Sequence, residues 1–360
     1  MSPHSKPASA TQPDSSTHGS NLYRVAIVGA TTLRGKEVAE VLGERNFPSI
    51  DIKLLDDDES LGQLEAVQDE VTFIQSVRTE QFGNTDFTFF ASDPDCTRKT
   101  WQTARNAGSA IVDLSYALED EPNATVRSPW IERQLARPLT PELQPGPSVV
   151  AHPAAIVLAL LLLRAGKLSR VERAIATILE PASEHGQKGM DELHEQTVNL
   201  LSFQQMPKDI FGTQVAFNMV ARYGEQSTPS LAAIEDRVLK HYERIAGKDA
   251  PMPSLLLAQA PIFHGHAFAI RLEMAQTVDI SDLSQALSGE HVTITHLAEE
   301  APSNVNAAGQ NDVLVSLQPD AKQLNGVWLW AASDNLRIAA STAVECAETM
   351  AASRPRGKIQ

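Results

Sequence analysis

The sequence predicts an α/β protein in two parts, a parallel-sheet domain at about residues 21–150 and an α+β domain at 151–334. Three observations predict this arrangement. Short apolar runs alternate with helical patterns in the first part, and a proline-rich stretch at residues 137–147 then interrupts the pattern. Longer predicted strands with fewer helices follow. With 360 residues, 42% of them hydrophobic, the chain is large enough for two cores.

The first domain begins with an apolar run at residues 22–28. The pattern after it places one apolar set on a common helix face, namely Val38, Ala39, Val41 and Leu42. Further strands are predicted at residues 51–55, 87–91 and 110–114, with a helix at about 97–107. Strands that alternate with helices indicate a parallel sheet with crossover helices.

The second domain begins with a strongly apolar helix that starts at Pro153. Its apolar stretch, residues 154–163, is about half of what a membrane span requires, so a buried core helix is predicted. Strands are predicted at 171–179, 254–259, 266–273, 292–296 and 327–332, and helices at about 190–203 and 231–245. A last helix at 335–352 is expected to pack back on the first domain and complete it.

Composition limits the partners and the compartment. Thirty Lys and Arg against 45 Asp and Glu give a formal charge of −15, which repels nucleic-acid backbones. The two cysteines, Cys96 and Cys346, are too few for a disulfide framework, suit a reducing compartment and are interpreted as buried thiols. Residues 1–20 carry no apolar run, so a disordered tail is expected rather than a secretory signal. The predicted location is the cytoplasm, with no membrane partner.

A candidate dinucleotide loop, GATTLRG, lies at residues 29–35, where the first strand turns into the first helix. Gly29 and Gly35 stand at the first and last glycine positions of a fingerprint in which bare backbone approaches a pyrophosphate at a helix N-terminus. Thr32 occupies the middle position, and its β-carbon crowds that approach. A tight strand-to-helix turn with no ligand is the alternative.

The acidic run Asp56-Asp57-Asp58-Glu59 closes the second predicted strand, where the ribose is usually recognised. A carboxylate such as that of Asp56 accepts hydrogen bonds from a ribose diol but repels a 2′-phosphate. NAD is therefore favoured over NADP, provided that the pocket is retained. A solvated acidic turn is the alternative.

Several stretches together resemble the aspartate-semialdehyde dehydrogenase family. They are VAIVGATTLRGKEV near the start, GQKGMDELHEQ at 186–196, VAFNMVARYGE at 215–225, PIFHGHAFAI at 261–270 and LWAASDNLRIAA at 329–340. They stand in the family's order and at about its spacing. The resemblance implies a Rossmann-type domain, a second domain that carries the active site, and a homodimer formed mainly through that second domain. The cofactor-binding positions that it implies are Gly29, Thr32, Gly35, Asp56 and Asn335.

The family's reaction needs a cysteine that this chain lacks at the matching position. In the family, an acyl phosphate is joined to a cysteine thiolate, and hydride transfer interconverts thioester and aldehyde. That cysteine follows an Asn-Pro-Asn motif and opens a helix, whose dipole favours the thiolate. The matching segment here is AHPAAIV at residues 151–157, and Ala155 falls on the cysteine. Alanine cannot form a thioester, and neither Cys96 nor Cys346 fits the position.

Other positions that the resemblance identifies are also changed. Glu180 stands for the family's glutamine, and the loop Ser183-Glu184-His185-Gly186 has Glu184 in place of one glycine. Glu119 stands for the arginine that binds phosphate, which reverses the charge at an anion site. Gln259 stands for the arginine that binds the substrate carboxylate, and the family's Glu-x-x-Lys pair falls near Ile234 and Arg237.

His266 is the retained general-base candidate. With His264 it forms a His-Gly-His in a predicted strand, where residues two apart face the same side. Because no third ligand is apparent, no metal site is predicted.

The changed positions favour a non-catalytic paralogue, of the kind seen in Usg-type relatives, over an active dehydrogenase. It is expected to form a homodimer, or to pair with an active paralogue. Its nucleotide site is interpreted as vestigial, with no certain cofactor. Two alternatives stay open, an enzyme with altered chemistry that uses His266 and Glu180, and an NAD-binding sensor.

Overall fold

The computed structural model describes residues 22–67, 70–137, 146–227, 229–296 and 300–353. The predicted tail, residues 1–20, and most of the proline-rich stretch lie outside these ranges. No helix among the described residues is both long and apolar enough to cross a bilayer. The division into domains at about residue 150 stays a prediction.

The first sheet has eight strands, in the order β3-β4-β2-β1-β5-β6-β8-β7. Its neighbouring strands are parallel except β3 and β4, which pair antiparallel at one edge. The strands are Tyr23–Val28 (β1), Ser49–Asp56 (β2), Leu64–Val67 (β3), Glu70–Ser76 (β4), Phe87–Phe90 (β5), Ala110–Asp113 (β6), Thr125–Arg127 (β7) and Ser148–Val150 (β8). Three helices belong to this part of the chain, Leu33–Glu44 (α1), Pro94–Asn106 (α2) and Pro129–Gln134 (α3).

The second sheet has six strands, in the mixed order β10-β9-β11-β14-β13-β12. They are Val171–Glu180 (β9), Ser254–Gln259 (β10), His266–Met274 (β11), Val292–Ile294 (β12), Val313–Pro319 (β13) and Gly326–Ser333 (β14). The helices are Pro153–Leu168 (α4), Gly186–Leu201 (α5), Leu231–Ala246 (α6), Ile280–Leu287 (α7), Asn304–Ala307 (α8) and Asn335–Ser353 (α9). The predicted fold class, a Rossmann-type parallel-sheet domain with an α+β dimerisation domain, is confirmed.

Several short elements were not predicted from the sequence. They are β3, β4, β7, β8, β13, α3, α7 and α8, of which the helices have eight residues or fewer. The shortest of them carry too few turns or alternations to produce a clear period. The strands β4 and β13 have seven residues each, and β4, next to the edge strand β3, exposes Phe73 where a buried residue would be expected.

Two cores hold the molecule together, and α4 occupies the one between the sheets. The first core joins α1 and α9 to one face of the first sheet, with Val38 and Leu42 packed beside Ala343. The second core contains α4 with residues from both sheets. Residues 154–163 of α4 are at most 6% exposed, which confirms the predicted core helix. The start of α4 therefore lies where the two sheets meet.

Candidate functional site

The sequence-predicted catalytic positions meet at one end of the second sheet. Glu180 ends β9, Gln259 ends its parallel neighbour β10, and the two are paired in register. His266 begins β11, whose next residue pairs with Leu179 of β9. Three adjacent strands thus bring Glu180, Gln259 and His266 together beside the start of α4.

Glu180 and His266 form a completely buried pair. His266 Nε2 lies 3.1 Å from Glu180 Oε2, and both side chains are 0% exposed. Burial raises the pKa of Glu180. Burial by itself would lower the pKa of His266, but the hydrogen bond to Glu180 and the negative charges of Glu180, Glu184 and Asp334 together raise it. The proton between them belongs to the pair, so His266 is engaged by a carboxylate rather than free to act as a base.

Glu184 receives an arginine from the first domain. Arg34, from the candidate dinucleotide loop, donates to Glu184 Oε2 at 2.8 Å and to the Leu114 carbonyl at 3.2 Å. Its guanidinium stacks over the Tyr116 ring, 5.1 Å from the centroid. Burial alone would raise the pKa of Glu184, but Arg34 and the smaller contributions of its other neighbours together outweigh burial and bring the pKa to about 2. The ion pair connects the two parts of the chain at the site.

Asn335, an implied cofactor position, is used for internal contacts. Its Nδ2 donates to Glu184 Oε1 at 2.8 Å. Its Oδ1 accepts from the Ser183 hydroxyl and from the Gly265 backbone N–H. The side chain is 0% exposed, so Asn335 holds the site's own loops together.

Ala155 is the third residue of α4 and is 0% exposed. His152 caps that helix, because its Nδ1 accepts from the Ala154 backbone N–H at 3.2 Å. Its other ring nitrogen, Nε2, points toward Glu184 at 3.9 Å. Burial lowers the pKa of His152 to about 3, so the ring is neutral at physiological pH.

Glu119 occupies a cationic pocket of its own. Arg237 donates to both of its carboxylate oxygens, and His241 Nε2 lies 3.0 Å from Oε2. Arg237 also stacks over Tyr116, on which Arg34 rests as well. Where the resemblance places a phosphate-binding arginine, this chain therefore supplies an internal anion that is already paired with Arg237 and hydrogen-bonded to His241, whose pKa is lowered by burial.

Glu119 makes the stability of the protein depend on acid pH. Burial would raise its pKa, but the hydrogen bonds from His241 and Arg237 outweigh burial and lower it to about 2. Stabilisation by this carboxylate is then complete above its ordinary pKa and is lost as the pH falls from about 4.5 to 2. We expect the free energy of unfolding to drop by about 2 kcal/mol more over this window in the wild type than in Glu119→Gln. Urea unfolding at several pH values measures the free energy of unfolding of both proteins. The same dependence of this free energy on pH in the wild type and in Glu119→Gln would rule out this role for Glu119.

Gln259 has every amide group satisfied internally. Its Nε2 donates to the carbonyls of Glu180 and Ala260, and its Oε1 accepts from the Tyr223 hydroxyl at 2.7 Å. The Tyr223 oxygen also lies 2.6 Å from His185 Nε2. A neutral amide held in this way offers no charge to a substrate carboxylate.

The glycines of the candidate dinucleotide loop are explained by packing within the chain. Gly29 has a φ of +82°, and a β-carbon there would lie 2.4 Å from the Ser92 backbone nitrogen. A β-carbon at Gly35 would lie 2.1 Å from the Gly29 carbonyl oxygen. Thr32 caps α1, because its hydroxyl accepts from the Gly35 N–H.

The Asp56 side chain accepts hydrogen bonds from the same loop, at donors that a dinucleotide would need. Asp56 Oδ2 accepts from both the backbone N–H and the hydroxyl of Thr31, each at 2.7 Å. Its Oδ1 accepts from the Asp57 backbone N–H. The Asp56 carboxylate thus already uses the backbone and hydroxyl donors of Thr31, which are not free for a nucleotide in this arrangement.

Two expectations about single residues are wrong. His264 does not share a strand face with His266, because β11 begins at His266 and Gly265 turns the chain with a φ of +83°. Cys96 is only half-buried, although Cys346 is buried as predicted. Burial raises the pKa of both thiols, that of Cys346 to about 12, so neither is an activated nucleophile.

Sequence reasoning missed three side chains that complete the site, Arg34, His152 and Tyr116. Arg34 and His152 lie inside motifs that resemble those of the family. A charged or aromatic side chain within such a tight turn is a signal that could have identified them as site residues. Tyr116 gave no such signal, because its role depends on the two guanidinium groups that the fold stacks against it.

Comparisons with known proteins agree on the fold and the family likeness. Residues 24–138 match the family model described as semialdehyde dehydrogenase, NAD binding domain, and residues 162–338 match the one described as semialdehyde dehydrogenase, dimerisation domain. A USG-1 protein homolog of Pseudomonas aeruginosa is 31% identical over 323 residues, covering 88% of this chain and 94% of the relative. An aspartate-semialdehyde dehydrogenase of Rickettsia conorii is 25% identical over 337 residues, covering 91% and 97%.

Solved structures give the same result. A probable aspartate-semialdehyde dehydrogenase from Pseudomonas aeruginosa superposes with a TM-score of 0.80 at 27% identity, covering 91% of this chain and 98% of that one. Aspartate semialdehyde dehydrogenase II from Vibrio cholerae superposes with a TM-score of 0.79 at 24% identity, covering 92% and 98%. The similarity therefore extends over both sheets.

Proposed function

The chain belongs to the semialdehyde dehydrogenase family, and we propose that it is a non-catalytic, dimeric member with a structural or regulatory role. The observation that carries the proposal is the closure of the site by its own charged groups. Glu180 pairs with His266, Glu184 with Arg34, and Glu119 with Arg237 and His241. Each group that would face a substrate or phosphate faces another side chain of the chain instead.

The missing thiol supports the same conclusion. Loss of a covalent nucleophile costs on the order of 10⁶ in rate in a well-studied protease, and Ala155 offers no replacement atom. Cys96 in α2 and Cys346 in α9 lie on other elements and have raised thiol pKa values. A thioester route therefore has no starting group here.

The test is steady-state turnover of the purified protein. It is incubated with aspartate semialdehyde and phosphate, with NADP and then NAD, beside a genuine aspartate-semialdehyde dehydrogenase. We expect no reduced nicotinamide above the protein-free rate from this chain, while the control enzyme turns over. Turnover at a measurable fraction of the control rate would refute the proposal.

The nucleotide site is proposed to be vestigial. The family's first domain binds NAD, yet Asp56 occupies the loop donors in this chain. We expect a titration of intrinsic fluorescence with NADH to show no saturation below millimolar concentration. NADPH should bind more weakly still, because Asp56, Asp57 and Asp58 repel its extra phosphate. Saturable binding of NADH or NADPH by the wild type below millimolar concentration would contradict the idea.

A homodimer is proposed to form through the outer face of the second sheet. Four large apolar side chains are exposed there, at 37–52% of their surface, namely Ile175, Leu256, Trp328 and Trp330. Trp330 and Leu256 lie in one cross-strand row, and Trp328 and Ile175 lie together in the next row on the same face. An exposed apolar patch of this kind marks an interaction surface. The opposite face of the sheet packs into the core between the sheets.

A charge placed on this face should break the dimer. We expect Trp328→Glu to raise the dimer dissociation constant by at least about 100-fold, because a carboxylate cannot be desolvated at the centre of an apolar interface. Sedimentation velocity at several concentrations measures the shift. The matched control is Leu61→Glu, an exposed leucine in the first domain that should leave the dimer intact. A wild-type monomer at all concentrations would contradict the prediction.

Association with an active paralogue through the same face, and location in the cytoplasm, remain predictions. Co-purification of the two proteins when expressed together tests the first of them.

A further inference from the structure

We infer that His152, Glu180, Glu184 and His266 form a binding site for a divalent transition-metal cation of the zinc class. One ligand atom each of His152, Glu180 and Glu184 lies within 4.8 Å of the other two. His266 Nε2 lies 3.1 Å from a Glu180 oxygen and 3.8 Å from a Glu184 oxygen. Tetrahedral donors about 2.0–2.2 Å from a shared ion lie about 3.3–3.6 Å apart, so the more widely separated ligand atoms move about 1 Å closer together when the ion binds.

Two buried polar atoms of this cluster have no partner among the described residues. They are Glu180 Oε1 and His266 Nδ1, and both side chains are 0% exposed. An unpaired buried polar atom costs about 1–3 kcal/mol, and more on a charged group. A cation held by Glu180 would satisfy the unpaired Oε1 atom, and its bond to the His266 Nε2 lone pair would place the ring proton on Nδ1, which still has no partner among the described residues.

The residues that provide the ligands are those in which this chain departs from the motifs it resembles. Glu180 stands for a glutamine, Glu184 for a glycine, and His152 for the first asparagine of Asn-Pro-Asn. Simple decay of a site would not be expected to introduce three metal-binding side chains beside a fourth. Their convergence in one buried cluster points to a gained property.

The donor set selects the class of ion. Imidazole nitrogen with carboxylate oxygen suits zinc and neighbouring first-row metals, whereas calcium takes six to eight oxygen ligands. The two carboxylates and Arg34 together carry one net negative charge. A bound divalent ion therefore gives the cluster a net charge of about +1, instead of the +2 of an uncompensated ion.

His152 completes the ligand set at a defined cost. Metal binding through Nε2 moves the ring proton to Nδ1 and ends the hydrogen bond that Nδ1 accepts from the Ala154 N–H. The buried Ala154 N–H then loses its acceptor, which costs about 1–3 kcal/mol that the metal–ligand bonds must offset. Pro153 at the first position of α4 already lacks an N–H, so the helix start has one donor fewer to satisfy.

The test is a titration of the chelator-treated full chain with cobalt(II), whose visible absorption reports nitrogen and oxygen ligands in tetrahedral geometry. Zinc is then added to displace it. The test variants are Glu180→Gln and His152→Asn, which restore the residues of the resembled motifs and should therefore be accepted by the fold. The matched control is His264→Ala, which removes a nearby histidine outside the cluster.

We expect one cobalt ion per chain, an intense visible band, displacement by zinc, and unchanged binding in His264→Ala. Each of the two test variants should weaken binding by about 100-fold or more, since loss of a second-shell partner alone costs 10–100-fold. Circular dichroism confirms that the variants are folded. Absence of saturable cobalt binding by the wild type, or equal affinity in Glu180→Gln, would overturn the site. The readout does not depend on dehydrogenase activity, so it can fail or succeed independently of the proposed function.

Discussion

Ala155→Cys is expected to leave dehydrogenase activity on the order of 10⁴-fold or more below that of a genuine relative. A sulfur at this position would lie in the first turn of α4, fully buried and three residues after His152, whose neutral ring faces Glu184. Burial disfavours the thiolate, which is the reactive form, and opposes the favourable effect of the helix start. His266, the one retained catalytic candidate, is bonded to Glu180 and cannot take the thiol proton freely.

Substrate binding would fail in the same variant for separate reasons. Glu119 repels phosphate and already binds Arg237, and Gln259 cannot pair with a substrate carboxylate. The measurement is steady-state reduction of NADP or NAD, with a combined variant that adds Glu119→Arg, Glu180→Gln and Gln259→Arg as the comparison. We expect the combined variant to reduce NADP or NAD faster than Ala155→Cys alone. Activity of Ala155→Cys within about 100-fold of the relative would show that the rest of the pocket is intact, contrary to this interpretation.

Arg34→Ala is expected to lower the free energy of unfolding by about 3 kcal/mol. Arg34 and Glu184 are 20% and 5% exposed, and removal of the guanidinium leaves a buried carboxylate with one amide donor, from Asn335. Loss of one partner of a buried pair is costly because the other charge stays desolvated. The stacking of Arg34 on Tyr116 is lost as well.

The controls separate burial from charge. Arg98→Ala removes a surface pair with Asp95, whose side chains are 56% and 79% exposed, and should cost less than about 0.5 kcal/mol. Adding Glu184→Gln to Arg34→Ala should recover part of the loss, since the unpaired charge is then gone. Urea unfolding of the four proteins measures these differences, and equal effects of Arg34→Ala and Arg98→Ala would show that the buried pair stabilises nothing.

Sequence patterns predicted the long elements and the fold class because these carry a strong period. The helices α4 and α6 and the strands β9, β10 and β11 all lie within a few residues of their predicted bounds. Short elements such as β7 and α8 escaped, since three or four residues show no period. The family resemblance supplied the expected role of each domain, which periodicity alone does not provide.

The candidate site was only partly predictable, because its character depends on which side chains meet. Glu119, Glu180 and Gln259 were each expected to disable a known step, and the structure gives each of them a specific partner. That Arg34 would reach Glu184 across 150 positions of the chain could not be inferred from either motif. The metal-type cluster was missed for the same reason, since His152, Glu180 and His266 lie on three different elements.

The most direct test of an inactive site is a single-turnover reaction with the protein in excess over aspartate semialdehyde, phosphate and NADP or NAD. Followed for hours by nicotinamide absorbance, it detects reaction too slow for steady-state assays. We expect no reduced nicotinamide beyond the protein-free control, and no mass added to the intact chain. Formation of one equivalent of reduced nicotinamide per substrate would show that the chain carries out the family's reaction without the cysteine, and would contradict the proposed function.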